Sequence, residues 1–178
     1  MPNRLPKLLH YVIWRCDPAD LGATKLNKIC WYSDLDAYRA LGHTITGATV
    51  YIRQQYGPTP KGVHKVIDKL ADQGRIAVST ENFYGHPKTM YLSRVKPDIA
   101  AFSSEEIAIV DAIAEIICSK HSAASISRIS HDALWEEIEL GADIPISAAA
   151  VIPGEITAND VSWAERMIAD FDAHRPPA

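Results

Sequence analysis

The chain has few cysteines and no long apolar run. Its three cysteines in 178 residues are an odd number at wide spacing, which argues against a disulfide framework and against a zinc site. We expect Cys16, Cys30 and Cys118 to be reduced core residues. Because no apolar run could span a bilayer and the N-terminal segment has no signal-peptide cleavage pattern, we expect a cytoplasmic protein without membrane contact.

Motifs for catalysis are also scarce. The sequence has no glycine-rich phosphate loop and no nucleophile elbow, and its seven histidines show no metal-ligand spacing, so we expect neither cofactor nor metal. The residue types of a catalytic triad occur consecutively at Ser130, His131 and Asp132. Consecutive residues of a helix point about 100° apart, however, so these side chains cannot line up. We expect His131 to pack on Trp135, one helical turn later, or to hydrogen-bond a neighbour. These observations favour a binding module over an enzyme.

The net charge of -4 hides a strong asymmetry along the chain. Residues 1–49 carry six Lys/Arg and four Asp/Glu, residues 50–96 carry eight and three, and residues 97–178 carry four and fifteen. The basic middle could meet nucleic acid or an acidic partner, and the acidic end could meet a basic protein; alternatively, the two face each other in the fold.

With 47% apolar residues the chain can bury a sizeable core, and its periodicity is mainly helical. We predict one α+β domain over residues 1–178, mainly α with a small β-hairpin, with a C-terminal helix and tail over 157–178. An apolar stripe from Leu5 to Cys16 predicts the first helix. A second helix is predicted from after Thr24 to Leu41, ended by Gly42.

The structure of the segment between Gly42 and Pro58, the connector, stays open, because it could form a strand, a loop with a short helix, or both. Thr59 as a cap and Pro60 at the first helical position predict a third helix up to Asp72. Gly74 then supplies a left-handed residue.

Further elements follow in the second half of the chain. Residues 75–80 and 88–95 predict a hairpin with its turn over 81–87. Ser103 and Glu106 form a capping box that starts a long helix. Residues 126–140 predict one shorter helix ended by Gly141, and the irregular apolar segment 144–156, broken at Pro145 and Pro153, predicts extended chain.

An aromatic and basic group of residues is a candidate contact surface for a protein partner. It contains Trp31, Tyr32, Tyr38, Tyr51, Arg39 and Arg53. The alternative is that these aromatic residues are half-buried parts of the core. Arg53 and Tyr56 flank the connector and are the better surface candidates.

The helix after Pro60 and the following hairpin resemble a winged-helix element, which would place a helix in the DNA major groove. The basic residues for that role are Lys61, Lys65, Lys69 and Lys88. Against it, Asp68 and Asp72 lie on the same outer face, and residues that usually read base edges are missing.

Several motifs together resemble one known family. KLNKICWYSD at 25–34 is similar to a K-L-x-K-L/I-x-Y/W-x-x-D helix, and residues 42–47 are similar to a G-x-x-I-x-G segment. A Gly-Pro step at Gly57 and a serine–histidine step at Ser130, followed by Trp135, complete the pattern. In this order and spacing, they resemble the Panacea domain, or SocA-like antitoxin, family over roughly residues 8–151.

The resemblance implies an antitoxin of a toxin–antitoxin pair that neutralises its toxin by direct protein contact. It also implies, for the SocA branch, an adaptor that delivers the toxin to a ClpXP-type protease. The toxin-contact candidates are Tyr32, Tyr38, Arg53, Tyr56 and Pro58. The alternative function is a DNA-binding autoregulator of its own operon.

Overall fold

The computed structural model describes residues 4–83 and 85–151. Seven helices and five strands lie in these ranges, so the prediction of a mainly α, α+β protein is confirmed. The order is α1 Leu5–Arg15, α2 Ala23–Leu41, β1 Val50–Gln54, β2 Gly57–Pro60, α3 Val63–Asp72, β3 Ile76–Phe83, β4 His86–Ser93, α4 Ser104–Lys120, α5 Ala123–Ile129, α6 Ala133–Glu137, β5 Asp143–Pro145 and α7 Ile146–Ala149. The helix predicted over 157–178 lies outside the described residues.

The first two helices form where the periodicity predicts them. The apolar stripe of α1 is buried in the core, and α1 ends at Arg15. α2 ends at Gly42, whose φ of 76° is the left-handed conformation that glycine adopts without strain. α2 is buried on most sides and packs against α1, α4, α5, α7, β2 and β4. It is therefore the central element of the core.

The open connector contains a strand. β1 is the middle strand of an antiparallel sheet in the order β2-β1-β5. Tyr51 pairs with Pro60 of β2 on one side and with Ile144 of β5 on the other. This sheet was not predicted, because its third strand is only three residues long and lies about 90 residues later in the chain.

The predicted start of the third helix is wrong. Thr59 and Pro60 belong to β2, where Thr59 pairs with Ile52, and α3 begins at Val63. Gly62 is the N-cap residue, with a φ of 74° and no side-chain cap. Strand pairing outweighs the local capping signal, because it satisfies the backbone of the same residues within the sheet.

The hairpin after α3 is confirmed and is longer than predicted. β3 and β4 pair over eight residues each, from Ile76 opposite Ser93 to Phe83 opposite His86. Residues 81–83 and 86–87, predicted as turn, belong to the strands. Glu81 lies opposite Lys88, and such an opposite-charge pair favours continued pairing.

The capping box of α4 is confirmed in both directions. The Glu106 N–H donates to Ser103 Oγ at 3.2 Å, and the Ser103 N–H donates to Glu106 Oε2 at 2.8 Å. Arg4 pairs with the same carboxylate at 2.6 Å, which ties the start of α1 to the start of α4.

The single helix predicted over 126–140 is wrong, because the chain breaks after α5. Asp132 Oδ1 accepts the Trp135 N–H at 2.8 Å and caps a separate helix, α6. A side chain that bonds to nearby backbone in this way competes with helix continuation. Extended chain at Pro145 is confirmed only for β5, since the one-turn helix α7 follows at once.

The cysteines are free, as expected: Cys16 and Cys30 are buried, and Cys118 is half-buried. No helix within 4–83 and 85–151 is long and apolar enough to cross a membrane.

A buried carboxylate joins α2 to the central strand. Asp34 Oδ1 accepts the Thr46 N–H at 2.9 Å, and Oδ2 accepts the hydroxyls of Thr46 and Tyr51, the latter at 2.8 Å. Asp34 and Tyr51 are fully buried. Burial raises the pKa of Asp34, and the hydrogen bonds from Thr46 and Tyr51 oppose that rise.

We predict that Asp34→Ala lowers the free energy of unfolding by about 3–5 kcal/mol, because it leaves three buried donors without an acceptor. Tyr51→Phe removes one of these donors and should cost about 1–2 kcal/mol. Asp36→Ala is the matched control, since Asp36 is an exposed carboxylate on the same helix and should change stability by less than about 0.5 kcal/mol. Urea denaturation measures all three. A cost for Asp34→Ala no greater than that of Asp36→Ala would contradict this account.

Candidate functional site

The β1–β2 hairpin presents an exposed aromatic residue on a short turn. Gln54 pairs with Gly57, so Gln55 and Tyr56 form a two-residue loop. Tyr56 is 62% exposed. The Tyr56 carbonyl accepts the Ser127 hydroxyl at 3.0 Å, which fastens the loop to α5. The turn is therefore held in place while its aromatic side chain faces solvent.

Gly57 lies at a point where only glycine fits. Its φ is +106°, and a Cβ there would lie 1.8 Å from Lys28 Nζ and 2.5 Å from Ser130 Oγ. Lys28 comes from α2 and Ser130 from the end of α5. Three segments that carry the family resemblance, around Lys28, Gly57 and Ser130, thus meet at one place.

Lys28 is a buried lysine without a counter-charge among residues 4–83 and 85–151. Its side chain is 1% exposed, and no hydrogen bond or ion pair of its ammonium is found among the described residues. Burial alone lowers the pKa of Lys28 to about 7. Sequence analysis missed this residue, because a lysine in a helix is ordinarily solvated. The available signal was its place in the KLNK motif.

The break between α5 and α6 builds a stacked group beside Gly57. His131 stacks on Trp135 with ring centroids 3.6 Å apart, as predicted. The Arg53 guanidinium lies 3.9 Å from the centre of the Trp135 ring, and Arg53 Nε donates to the Trp135 carbonyl at 2.7 Å. Burial and the nearby charges of Lys28 and Arg53 lower the pKa of His131. A neutral imidazole suits this cationic neighbourhood.

The residues of the apparent triad have other partners. Ser130 Oγ donates to the Ser127 carbonyl at 2.7 Å, and His131 Nε2 lies 3.4 Å from Ser127 Oγ. Asp132 is the α6 cap. These separate partners result from the break between α5 and α6, and not from the geometry of one continuous helix, as the sequence suggested. Within 4–83 and 85–151, no three His, Cys, Asp or Glu side chains are grouped as metal ligands would be.

The predicted toxin-contact residues fall into two regions. Arg53, Tyr56 and Pro58 share the β1–β2 hairpin, where Arg53 pairs with Pro58 and Pro58 is buried. Tyr32 is half-buried, and burial together with the Asp132 charge raises its pKa to about 12, so it lies on the α6 side. Tyr38 is 37% exposed near the end of α2.

Of the other members of the aromatic and basic group, Trp31 and Tyr51 have core positions and Arg39 is exposed. Trp31 and Tyr51 are buried and pack edge to face at 5.0 Å. Arg39 donates to the Ala150 carbonyl at 3.1 Å. The core alternative therefore holds for Trp31 and Tyr51.

The four lysines considered for DNA binding occupy three places. Lys65 and Lys69 line a groove of about 490 Å³ between α1 and α3, together with Lys7, His10, Arg75 and Asp98. Lys61 pairs with Asp143 at 3.2 Å. Lys88 donates to the Ala19 carbonyl.

We predict that Lys28 makes stability depend on pH. Between pH 7 and 10.5 the unfolded chain holds a proton on Lys28 that the folded chain has released, so raising the pH stabilises the fold by up to about 1.4 kcal/mol per pH unit. Lys28→Met should remove this contribution. Urea denaturation of both proteins across this window measures the difference, in which the titrating groups that Lys28 does not affect cancel. Parallel curves for the two proteins would contradict the assignment.

Comparison with known protein families identifies the family of the chain. A model of the family described as "Antitoxin SocA-like, Panacea domain" matches residues 26–136. No curated protein and no solved structure matches the chain. The matched span covers more than half of the chain and contains Lys28, the β1–β2 hairpin and Trp135. The chain therefore belongs to the SocA-like antitoxin family with a Panacea domain.

Proposed function

We propose that this protein neutralises a cognate toxin by direct contact at the β1–β2 hairpin. The observation that carries the proposal is Tyr56, a tyrosine 62% exposed on a two-residue turn that is fastened to α5. Tyrosine is enriched among residues that dominate binding energy. A turn already held in place loses little conformational entropy on binding.

Exposed apolar residues on neighbouring segments extend this face. Ile129 is 52% exposed at the end of α5, two residues after the Ser127 that bonds to Tyr56. Leu140 is 65% exposed, and the next residue, Gly141, donates its N–H to the Arg53 carbonyl at 2.8 Å. Apolar side chains around an aromatic anchor are what a protein partner can cover.

The other candidate residues differ in role. Arg53 is engaged with Trp135 and Pro58 is buried, so both support the hairpin more than they reach outward. Tyr32 lies half-buried on the α6 side and Tyr38 is exposed further along α2. We propose them as peripheral contacts.

Delivery of the bound toxin to a ClpXP-type protease is a second step that such a complex permits. It is distinct from neutralisation by contact. Toxin half-life in cells with and without the protease measures that step.

DNA binding is a second candidate, and the groove between α1 and α3 favours it. Lys65, Lys69 and Arg75 line this groove, and Asp98, the one acidic residue among the described residues that line it, is paired with Lys7 at 2.8 Å. Such cations can contact phosphates without reading bases.

Tyr56→Ala should weaken toxin binding by about 2 kcal/mol, roughly thirtyfold, because it removes the exposed anchor of the hairpin. Trp14→Ala is the matched control, since Trp14 is an aromatic residue 47% exposed on α1. Affinity for the purified toxin and rescue of growth on toxin expression are the measurements. Equal affinities of the two variants would remove the hairpin as the contact face.

If the DNA candidate is correct, the protein should retard its own operon's promoter, and its affinity should fall steeply with salt. Lys65→Glu with Lys69→Glu should abolish the shift, whereas Lys120→Glu, at the exposed end of α4, should retain it. A missing shift of the unmodified protein at low salt would leave toxin contact alone.

A further inference from the structure

A cavity of about 380 Å³ lies between the first turns of α2 and α3 and the β1–β2 hairpin. Thr24, Asn27, Lys28, Tyr56, Thr59 and His64 contribute polar side chains to it. None of the described residues that line it is acidic. Its polar groups therefore offer donors and positive charge without a carboxylate to neutralise them.

Two helix N-termini border this cavity. Ala23 and Thr24 of α2 and Val63 and His64 of α3 line it. Neither helix has a side-chain cap or an acidic residue in its first turn. First-turn N–H groups have no intrahelical acceptor and carry the positive end of the helix dipole. Both ends thus favour a negative group.

Lys28 supplies the third and independent indication. Lys28 is 1% exposed and lines the cavity, and no hydrogen bond or ion pair of its ammonium is found among the described residues. An unpaired buried cation is costly, and an anion beside it would remove that cost. Burial without such a partner lowers the pKa of Lys28. The cavity combines a buried cation and two uncapped helix ends, which is the arrangement that holds oxyanions.

We propose that this cavity binds an oxyanionic group, a phosphate or a carboxylate, carried by a small molecule or by an acidic side chain of a bound partner. The cavity is of the size at which small-molecule sites begin, and it exceeds one phosphate or carboxylate group. The anion is therefore the end of a larger ligand. Tyr56 lies at the same cavity, so its occupant contacts the hairpin turn as well.

Titration of the free protein with inorganic phosphate, and separately with succinate, tests the site by NMR at constant ionic strength. Saturable shifts of the Thr24 and His64 amides are expected. The titration of Lys28, followed on its ε-carbon, should move from near 7 towards the ordinary lysine range by at least one pH unit at saturation, because anion binding favours the ammonium.

Lys28→Met should weaken phosphate binding at least tenfold and raise the urea midpoint at neutral pH, which also shows that the variant folds. Lys120→Met, which removes an exposed lysine, should bind within twofold of the unmodified protein. Shifts that grow linearly with phosphate, or an unchanged titration of Lys28 in the unmodified protein, would overturn the proposal whether or not the variant folds.

Measurements on the toxin complex test whether a small molecule or a toxin side chain supplies the anion. This part of the experiment rests on the proposed function. If a toxin side chain supplies the group, phosphate competes with the toxin and Lys28→Met weakens the complex. If a small molecule supplies it, toxin affinity does not change with phosphate. Since phosphate binding is measured on the free protein, failure of the site and failure of the toxin contact are separate results.

Discussion

The fold depends on one buried carboxylate. Asp34 on the central helix accepts hydrogen bonds from Thr46 and Tyr51, and those two residues bracket the turn into β1. β1 is the middle strand, so its position also sets β2 and β5. A buried carboxylate contributes stability only while its donors are held in place, and for that reason it fixes one arrangement of helix and sheet. This interaction therefore also determines the position of the hairpin turn that carries Tyr56.

The region around Gly57 has the opposite energetic character. Lys28 is buried without a counter-charge, and Gly57 adopts a left-handed φ in contact with it. The buried Lys28 costs stability that an apolar residue at 28 would not. Asp34 is a buried carboxyl group whose hydrogen bonds are satisfied, whereas Lys28 is a buried amine for which the described residues supply no partner. Local costs of this kind are expected where a protein binds something.

Local signals predicted the elements that depend on local chemistry. The stripe of α1, the Gly42 stop and the Ser103 capping box each act within a few residues, and all three are confirmed. The failed predictions are those in which two local signals compete: Thr59 carries a helix-cap signal but pairs with Ile52 in a sheet, and the helix predicted over 126–140 is broken by the Asp132 cap. Part of the candidate site also depends on contacts between distant segments, which the sequence does not show. Tyr56 was predicted as a surface candidate, but burial of Lys28 follows from the meeting of α2, β2 and α5, which no local pattern contains.

Hydrogen exchange of the free protein and of its toxin complex tests the central claim most directly, namely that the face formed by the β1–β2 hairpin and the α5–α6 segment meets the partner. Amides around Tyr56 and over residues 127–141 should exchange more slowly in the complex, while the β3–β4 hairpin should be unchanged. Protection confined to β3–β4 or to the groove between α1 and α3 would contradict the account.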